Sequence, residues 1–150
     1  MAAEKYSGFD ATGQHGLIAA TSNQSTSMRW YAGTNGDTRA YGDGIGAGEM
    51  NTAIIIAAQV AIGDDGSTYA ARVCADLVIS NYSDWYLPSK YELNLMFLQK
   101  ATIGNFTSNF YWSSTERNSN TAWAQRFSDG NQIGNFVKTN SDYVRAVRAF

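Results

Sequence analysis

The sequence is poor in the residues that most often carry chemistry. Its 150 residues include one cysteine, Cys74, one histidine, His15, and one proline, Pro88. A single cysteine excludes an internal disulfide framework. With one imidazole there is no paired-histidine zinc pattern, and neither H-E-x-x-H nor G-x-S-x-G occurs. Charge is scarce as well: Asp, Glu, Lys and Arg make up 16% of the chain and the formal net charge is -2. There is no basic field to hold a phosphate backbone, so nucleic acid is not an expected partner. No run approaches the roughly 20 apolar residues of a membrane span, so insertion into a membrane is not expected either. The opening MAAEKYSGFD lacks the basic start and apolar stretch of a secretory signal. Either an export signal has been removed, or residues 1–150 are the C-terminal part of a longer protein.

What is present is enough for one core. Hydrophobic residues make up 44% and aromatics 13%, which fits a single domain over residues 1–150. In the first third, short apolar pieces at 17–20 and 28–32 alternate with Ser, Thr, Asn and Gly and read as strands. From Gly33 to Gly48 there are six glycines, a density that resists helix and central strand and gives an irregular loop. Gly42, Gly44 and Ala47 loosely fit a dinucleotide fingerprint, but TNGDTRAY is not the apolar strand that must precede it.

The middle third reads as helical. The residues from Met50 to Ile62 are apolar around nearly the whole circumference, which predicts a buried helix. Ala70, Val73, Cys74, Leu77 and Val78 form one helical stripe and place Cys74 in the core, where a thiol is inert. In LPSKYELNLMF, Ser89 and Glu92 form a capping box, with Leu93, Met96 and Phe97 facing the core. Glu92 is therefore a cap rather than an acid catalyst. His15 reads as a structural hydrogen-bonding residue.

In the last third the period changes to two. In TAWAQRFSD, Trp123, Gln125 and Phe127 share one face, while Ala122, Ala124, Arg126 and Ser128 share the other. DYVRAVRAF reads as a closing strand, and SDGNQIGNF carries hairpin turns, so the C-terminal sheet is expected to be antiparallel. In YWSSTERNSNTAW, Trp112 and Trp123 are expected to anchor the sheet. The polar residues between and after them are expected to be its working surface. Alternation selects Arg117, Asn118, Asn120, Ala124, Arg126, Ser128, Asn131, Asn135, Lys138 and Asn140 as outward, ligand-binding candidates. Asparagine also simply suits turns, and both readings stand. Asp64-Asp65 and Asp129 read as turn residues, since the alternating carboxylates of a calcium loop are missing.

Four segments, DWYLPSKYELNLMF at 84–97, YWSSTE at 111–116, AWAQRFSDGNQ at 122–132 and YVRAVRAF at 143–150, come in the order and spacing of a known family. Together with GQHGLIAATSNQSTSMRWY at 13–31 they resemble the Legionella collagen-like protein C-terminal domain family, over about residues 10–150. Family members usually enter through a longer Gly-Gly and apolar strand, from which the short MAAEKYSGFD departs. The resemblance implies an α+β, C-type-lectin-like domain whose antiparallel sheet is braced by two or three helices. That fold is similar to formylglycine-generating enzymes, but those use a pair of active-site cysteines that Cys74 alone cannot supply, so no enzymatic activity is expected.

The resemblance further implies an extracellular binding module on a cell surface or virion, directed at a protein or glycan. Some similar domains are diversified by retroelements, typically through asparagine codons, and the asparagines at 118, 120, 131, 135 and 140 look like such positions. Sulfated glycans are ligands in the family, but they require a basic surface that the chain lacks overall. No cofactor and no metal are implied. A structural tip domain that forms trimers, hence a homo-oligomer, is the alternative.

Overall fold

The computed structural model describes residues 5–10 and 13–150, with side chains from residue 15 onward. In chain order the elements are β1 (Lys5–Asp10), β2 (Gly13–Ala19), β3 (Ser25–Met28), α1 (Ala47–Ile62), α2 (Ala70–Ala75), α3 (Lys90–Leu98), α4 (Lys100–Ile103), β4 (Phe110–Glu116), β5 (Thr121–Arg126), β6 (Gln132–Val137), β7 (Asp142–Val144) and β8 (Val147–Ala149). The class is α+β. A three-stranded sheet of order β1-β2-β8 is antiparallel throughout, and the first strand, β1, is present. A five-stranded sheet has the order β3-β7-β4-β5-β6.

The five-stranded sheet is mixed, because β4 and β7 run parallel at Tyr111 and Tyr143. The closing stretch DYVRAVRAF is also two strands in two sheets rather than one. Arg145 and Ala146 form the corner between them. The Arg145 guanidinium is buried and donates to the carbonyls of Ala20 (2.9 Å), Gly104 (3.3 Å) and Asn105 (2.6 Å) and to Asn23 Oδ1 (3.0 Å). It also lies 4.1 Å from the centroid of the Phe106 ring. Burial lowers its pKa to about 10. These charge-assisted bonds tie the corner between the two sheets to two distant segments, 20–23 and 104–105.

Both faces of the large sheet are covered, because alternate residues of β4 enter different cores. Trp112 joins Trp30, Ile55, Tyr69, Cys74 and Val144 under α1 and α2. Tyr111 joins Leu17, Leu93, Met96, Phe127 and Val147 under α3. The Phe127 ring lies 4.5 Å from those of Tyr111 and Phe106 and meets Phe97 edge-on at 5.6 Å. The Ser89–Glu92 capping box forms as expected.

Two helical expectations need correction. The side of α1 that turns inward is largely polar: Asn51, Thr52 and Gln59 are buried with Ile55, while Met50 is 65% and Val60 72% exposed. Periodicity cannot orient a helix that is apolar all round, and here hydrogen bonds decide. Gln59 Oε1 accepts from Ala32 N (2.8 Å), Thr52 Oγ1 accepts from Leu87 N (3.0 Å), and Asn51 Nδ2 donates to the Gly42 carbonyl (2.7 Å). The stripe through Val78 stops early, because α2 ends at Ala75 and leaves Val78 exposed. Cys74 remains fully buried, and burial raises its thiol pKa, which keeps it protonated.

Candidate functional site

The polar run after Trp112 begins inside the protein. On β4, Trp112 pairs with Ala124 and Glu116 with Ala122, so four steps on one strand oppose two on the other. The surplus is taken up by Ser113, Ser114 and Thr115, whose small hydroxyls fit a bulged, buried segment. Ser113 Oγ donates to Trp123 O (2.7 Å), and Ser113 O accepts from Trp30 Nε1 (2.8 Å). Ser114 N donates to Pro88 O (2.8 Å). Thr115 Oγ1 donates to Gly42 O (2.9 Å) and accepts from Lys90 N (2.9 Å). The Glu116 carboxylate accepts from Thr38 N (3.1 Å), Thr38 Oγ1 (2.9 Å) and Arg39 N (2.8 Å), and pairs with the buried ammonium of Lys138. Burial lowers the Lys138 pKa, against the opposing pull of Glu116. Ser113–Glu116 is therefore an internal hub rather than a working surface. It fixes the glycine-rich loop, which is irregular only as far as Gly46, since Ala47 and Gly48 open α1, and which is held at Thr38, Arg39 and Gly42.

The same loop meets the N-terminus of α3. Three backbone N–H groups there take side-chain acceptors from three segments: Lys90 N from Thr115, Tyr91 N from Asp43 Oδ1 (2.8 Å) and Glu92 N from Ser89 Oγ (3.2 Å). Every orphan donor of the first turn is used. Buried Glu92 accepts in turn from Gly46 N (2.8 Å), Gly48 N (3.1 Å), Ser89 N (2.8 Å) and Tyr86 Oη (3.1 Å).

The ten C-terminal candidates do not form one patch. Antiparallel pairing of β4, β5 and β6 puts Arg117, Asn118, Asn120, Lys138 and Asn140 at one end of β5, and Arg126, Ser128 and Asn131 at the other. The two ends are separated by a six-residue strand of roughly 20 Å. Asn135 lies between, on β6.

Two candidates are not outward at all. Ala124 is buried with Trp112, because β5 is an internal strand covered on both faces and the alternation inward/outward does not apply. Lys138 is buried with Glu116, and its Nζ also donates to Gly36 O (2.9 Å) and Ser119 O (3.0 Å). Arg117, Asn118, Asn120, Ser128, Asn131 and Asn135 are exposed, while Arg126 and Asn140 are half-buried. Asn118 works as a turn residue, its Oδ1 accepting from Asn120 N, Thr121 N and Thr121 Oγ1. Arg126 is paired with Asp129 (2.5 and 3.0 Å) and Asp65 with Arg29, so both aspartates are committed to arginines and sit below the usual carboxylate pKa range.

The surface feature that alternation missed is Trp123. It was expected in the core, yet it is only half-buried. Trp123, Gln125 and Phe127 run along α3 opposite Lys90, Asn94 and Phe97: Lys90 Nζ lies 4.5 Å from the Trp123 ring centroid, Gln125 Nε2 donates to Asn94 Oδ1 (2.8 Å), and Phe127 meets Phe97. At the first of these contacts the helix has only just begun, so the indole stays partly open to solvent. On its other side, β6 carries one extra residue against β5, with Ala122 opposite Phe136 and Ala124 opposite Ile133. Gly134 sits in this bulge, and a Cβ there would come 2.7 Å from Trp123 Cζ2. The glycine makes room for the indole to lie against the sheet.

Lys90 also pairs with Asp43 (3.1 Å), and its carbonyl accepts from Gln132 Nε2 (2.9 Å). Exposed Tyr91 follows it, and exposed Tyr41 stands on the same loop as Asp43, its hydroxyl donating to Asp37 (2.6 Å). That bond raises the Tyr41 pKa to about 12. The result is an aromatic and amide surface around one ion pair. It is fixed from below by the polar hub and suited to non-covalent recognition.

The fold is similar to that of a fimbrial protein from Bacteroides ovatus, with a TM-score of 0.63 and 19% sequence identity. The likeness covers 91% of this chain and 36% of that protein, so the chain spans about a third of its length. No curated protein matches the sequence. The Lcl C-terminal domain family matches residues 19–148, from the end of β2 into β8. That range includes the polar hub, the glycine-rich loop and the Trp123 surface, and the chain belongs to the Lcl C-terminal domain family.

Proposed function

We propose that this chain is a non-enzymatic, ligand-binding display domain of the adhesin or receptor type, with a C-type-lectin-like architecture, presented outside the cell on a cell or virion surface. The target is a protein or a glycan. The fimbrial neighbour and the family support this setting. The first and last strands lie in one sheet, on either side of β2, which supports the architecture.

The observation that carries the binding reading is the half-buried Trp123, held between Gly134 and Lys90, whose ammonium also pairs with Asp43. A rigid aromatic on a polar surface provides contact area at little entropic cost. The test is a screen of the purified domain against a glycan array and a library of surface proteins. Trp123→Ala is then compared with the triple replacement of Arg126, Asn131 and Asn135 by alanine. Loss of about 2 kcal/mol of affinity in Trp123→Ala, as expected of a central interface aromatic, supports this site. Retained affinity in Trp123→Ala with loss in the triple variant moves the site to the far end of β5.

A second reading, a structural tip domain that assembles as a homo-oligomer, is favoured by the outer face of α1. Met50 and Val60 are exposed there, and no charged residue lies between Glu49 and Asp64. Light scattering separates the readings. A concentration-independent monomer rules out the assembly reading and leaves the display reading intact.

A further inference from the structure

A cleft of about 170 Å³ opens on the side of the molecule that carries the three-stranded sheet, away from Trp123. Its walls are mostly apolar, with Ile18 on β2, Ala20 just beyond it, Ile79, Tyr82 and Trp85, joined by Thr21, Ser80 and, from β8, Arg148. Ile79 and Tyr82 close a two-residue hairpin, bonded to each other in both directions (3.1 and 3.0 Å). Its central residues, Ser80 and Asn81, both have positive φ, at 50° and 68°. That is the pattern of a type I′ turn, whose twist matches a hairpin. The Trp85 indole N–H donates back to Tyr82 O (3.1 Å), so the lip and the floor of the cleft are tied together.

Arg148 is the one charged residue in the lining. Its guanidinium stacks 3.9 Å from the Tyr82 ring centroid. Nε and Nη2 donate to the two carboxylate oxygens of Asp84, at 2.6 and 2.7 Å. A guanidinium has five N–H donors, and among the described residues none accepts from Nη1. The carboxylate of Asp84 thus holds one edge of the cation and leaves the other edge with donors to spare. Apolar walls, a volume close to the roughly 150 Å³ that accommodates a benzene ring, and a half-used arginine fork define a ligand.

We propose that this cleft binds a compact apolar group, about one ring in size, that carries a carboxylate. The ring sits against Ile18, Ile79 and Trp85, and the carboxylate takes the free edge of Arg148 in a charge-assisted hydrogen bond. Two sources share this chemistry: a free small acid, and the last residue of a polypeptide with an apolar side chain.

The test is a titration of the whole isotope-labelled chain with 3-phenylpropionate, followed at the Trp85 indole N–H and the amides of Ile79 to Tyr82. Saturable shifts at those signals are expected, with a Kd on the order of 1 mM for a ligand of this size. The uncharged analogue 3-phenylpropanol should bind at least tenfold more weakly. Arg148→Gln should weaken the acid by a similar factor. Asp84→Asn removes the competing carboxylate and should strengthen acid binding several-fold, so the proposal stays testable if Arg148→Gln does not fold. N-acetylphenylalanine stands for a chain end: tighter binding than 3-phenylpropionate assigns the site to polypeptide termini, and weaker binding assigns it to free acids. Absence of saturable shifts at these signals, equal binding of acid and alcohol, or weaker acid binding in Asp84→Asn overturns the proposal.

Discussion

Ser113–Glu116 and Arg117–Asn120 are neighbours in the chain, equally free of apolar side chains, and they end in opposite environments. The first four are buried, and their polar atoms bind backbone from three other segments. The second four form a surface turn closed by its own Asn118 side chain. Polarity alone did not decide between them. What differs is partnership: the loop at 33–48 and the N-terminus of α3 bring donors and acceptors that the hydroxyls of the first segment satisfy, whereas nothing covers the turn. A buried polar group is tolerated where its hydrogen bonds are complete.

The sharpest way to break the contrast is at Glu116. Glu116→Gln leaves the ammonium of Lys138 buried without its counter-charge, and about 3–5 kcal/mol of stability should be lost in denaturant unfolding. The double variant Glu116→Gln, Lys138→Met removes the stranded charge and should recover most of that loss. A single variant that loses less than about 1 kcal/mol would mean that water reaches the pair and that the segment is not an interior hub.

The two tryptophans flanking the run test the same division. Trp112 is fully buried, and Trp112→Ala should cost about 3–5 kcal/mol. Trp123→Ala should cost about 1–2 kcal/mol, since only part of its ring leaves water. Equal losses in thermal melting would return Trp123 to the core and remove the basis for a binding surface there. A comparable effect is expected within the hub: Thr115→Val deletes the hydroxyl shared by Gly42 O and Lys90 N. Stranding one acceptor and one donor should cost about 1–3 kcal/mol.

Local signals in the sequence were reliable wherever a single segment contains its own explanation. The Ser89–Glu92 capping box, the glycine-rich loop, the core position of Cys74 and the period-two strand at β5 all depend on residues a few places apart. Failures came where distant segments decide. The orientation of α1 is set by hydrogen bonds from Asn51 and Gln59 to a loop 9 and 27 residues away. Ala124 was read as outward because alternation assumes one solvent-facing side, while β5 is covered on both, and Lys138, just beyond β6, is held inside by the buried carboxylate of Glu116. The split of the final strand depends on Arg145 finding four acceptors, two of them more than 120 residues upstream. At the Trp123 surface, each aromatic was visible as a residue, but not the bulge at Gly134 that seats the indole against the sheet, nor the start of α3 that leaves it partly uncovered.

The smallest expected effects lie in the turn itself and complete the contrast. Arg117 and Asn120 are exposed, and nothing in the hub depends on their side chains. Alanine at either position should change stability by no more than about 0.5 kcal/mol, as is usual for isolated surface sites. Asn118 should behave differently although it is equally exposed. Its Oδ1 accepts from two backbone N–H groups and from the Thr121 hydroxyl, at 2.9 to 3.0 Å, the pattern by which an asparagine side chain builds a turn. Asn118→Ala should cost about 1 kcal/mol, the net worth of such bonds when water competes for both partners. Asn118→Asp keeps the acceptor and should restore most of it. Melting temperatures of the four variants, measured at one protein concentration, give the ordering. If Asn118→Ala proves as silent as Arg117→Ala, the turn is held by backbone pairing alone, and position 118 is free to vary on the surface like its neighbours.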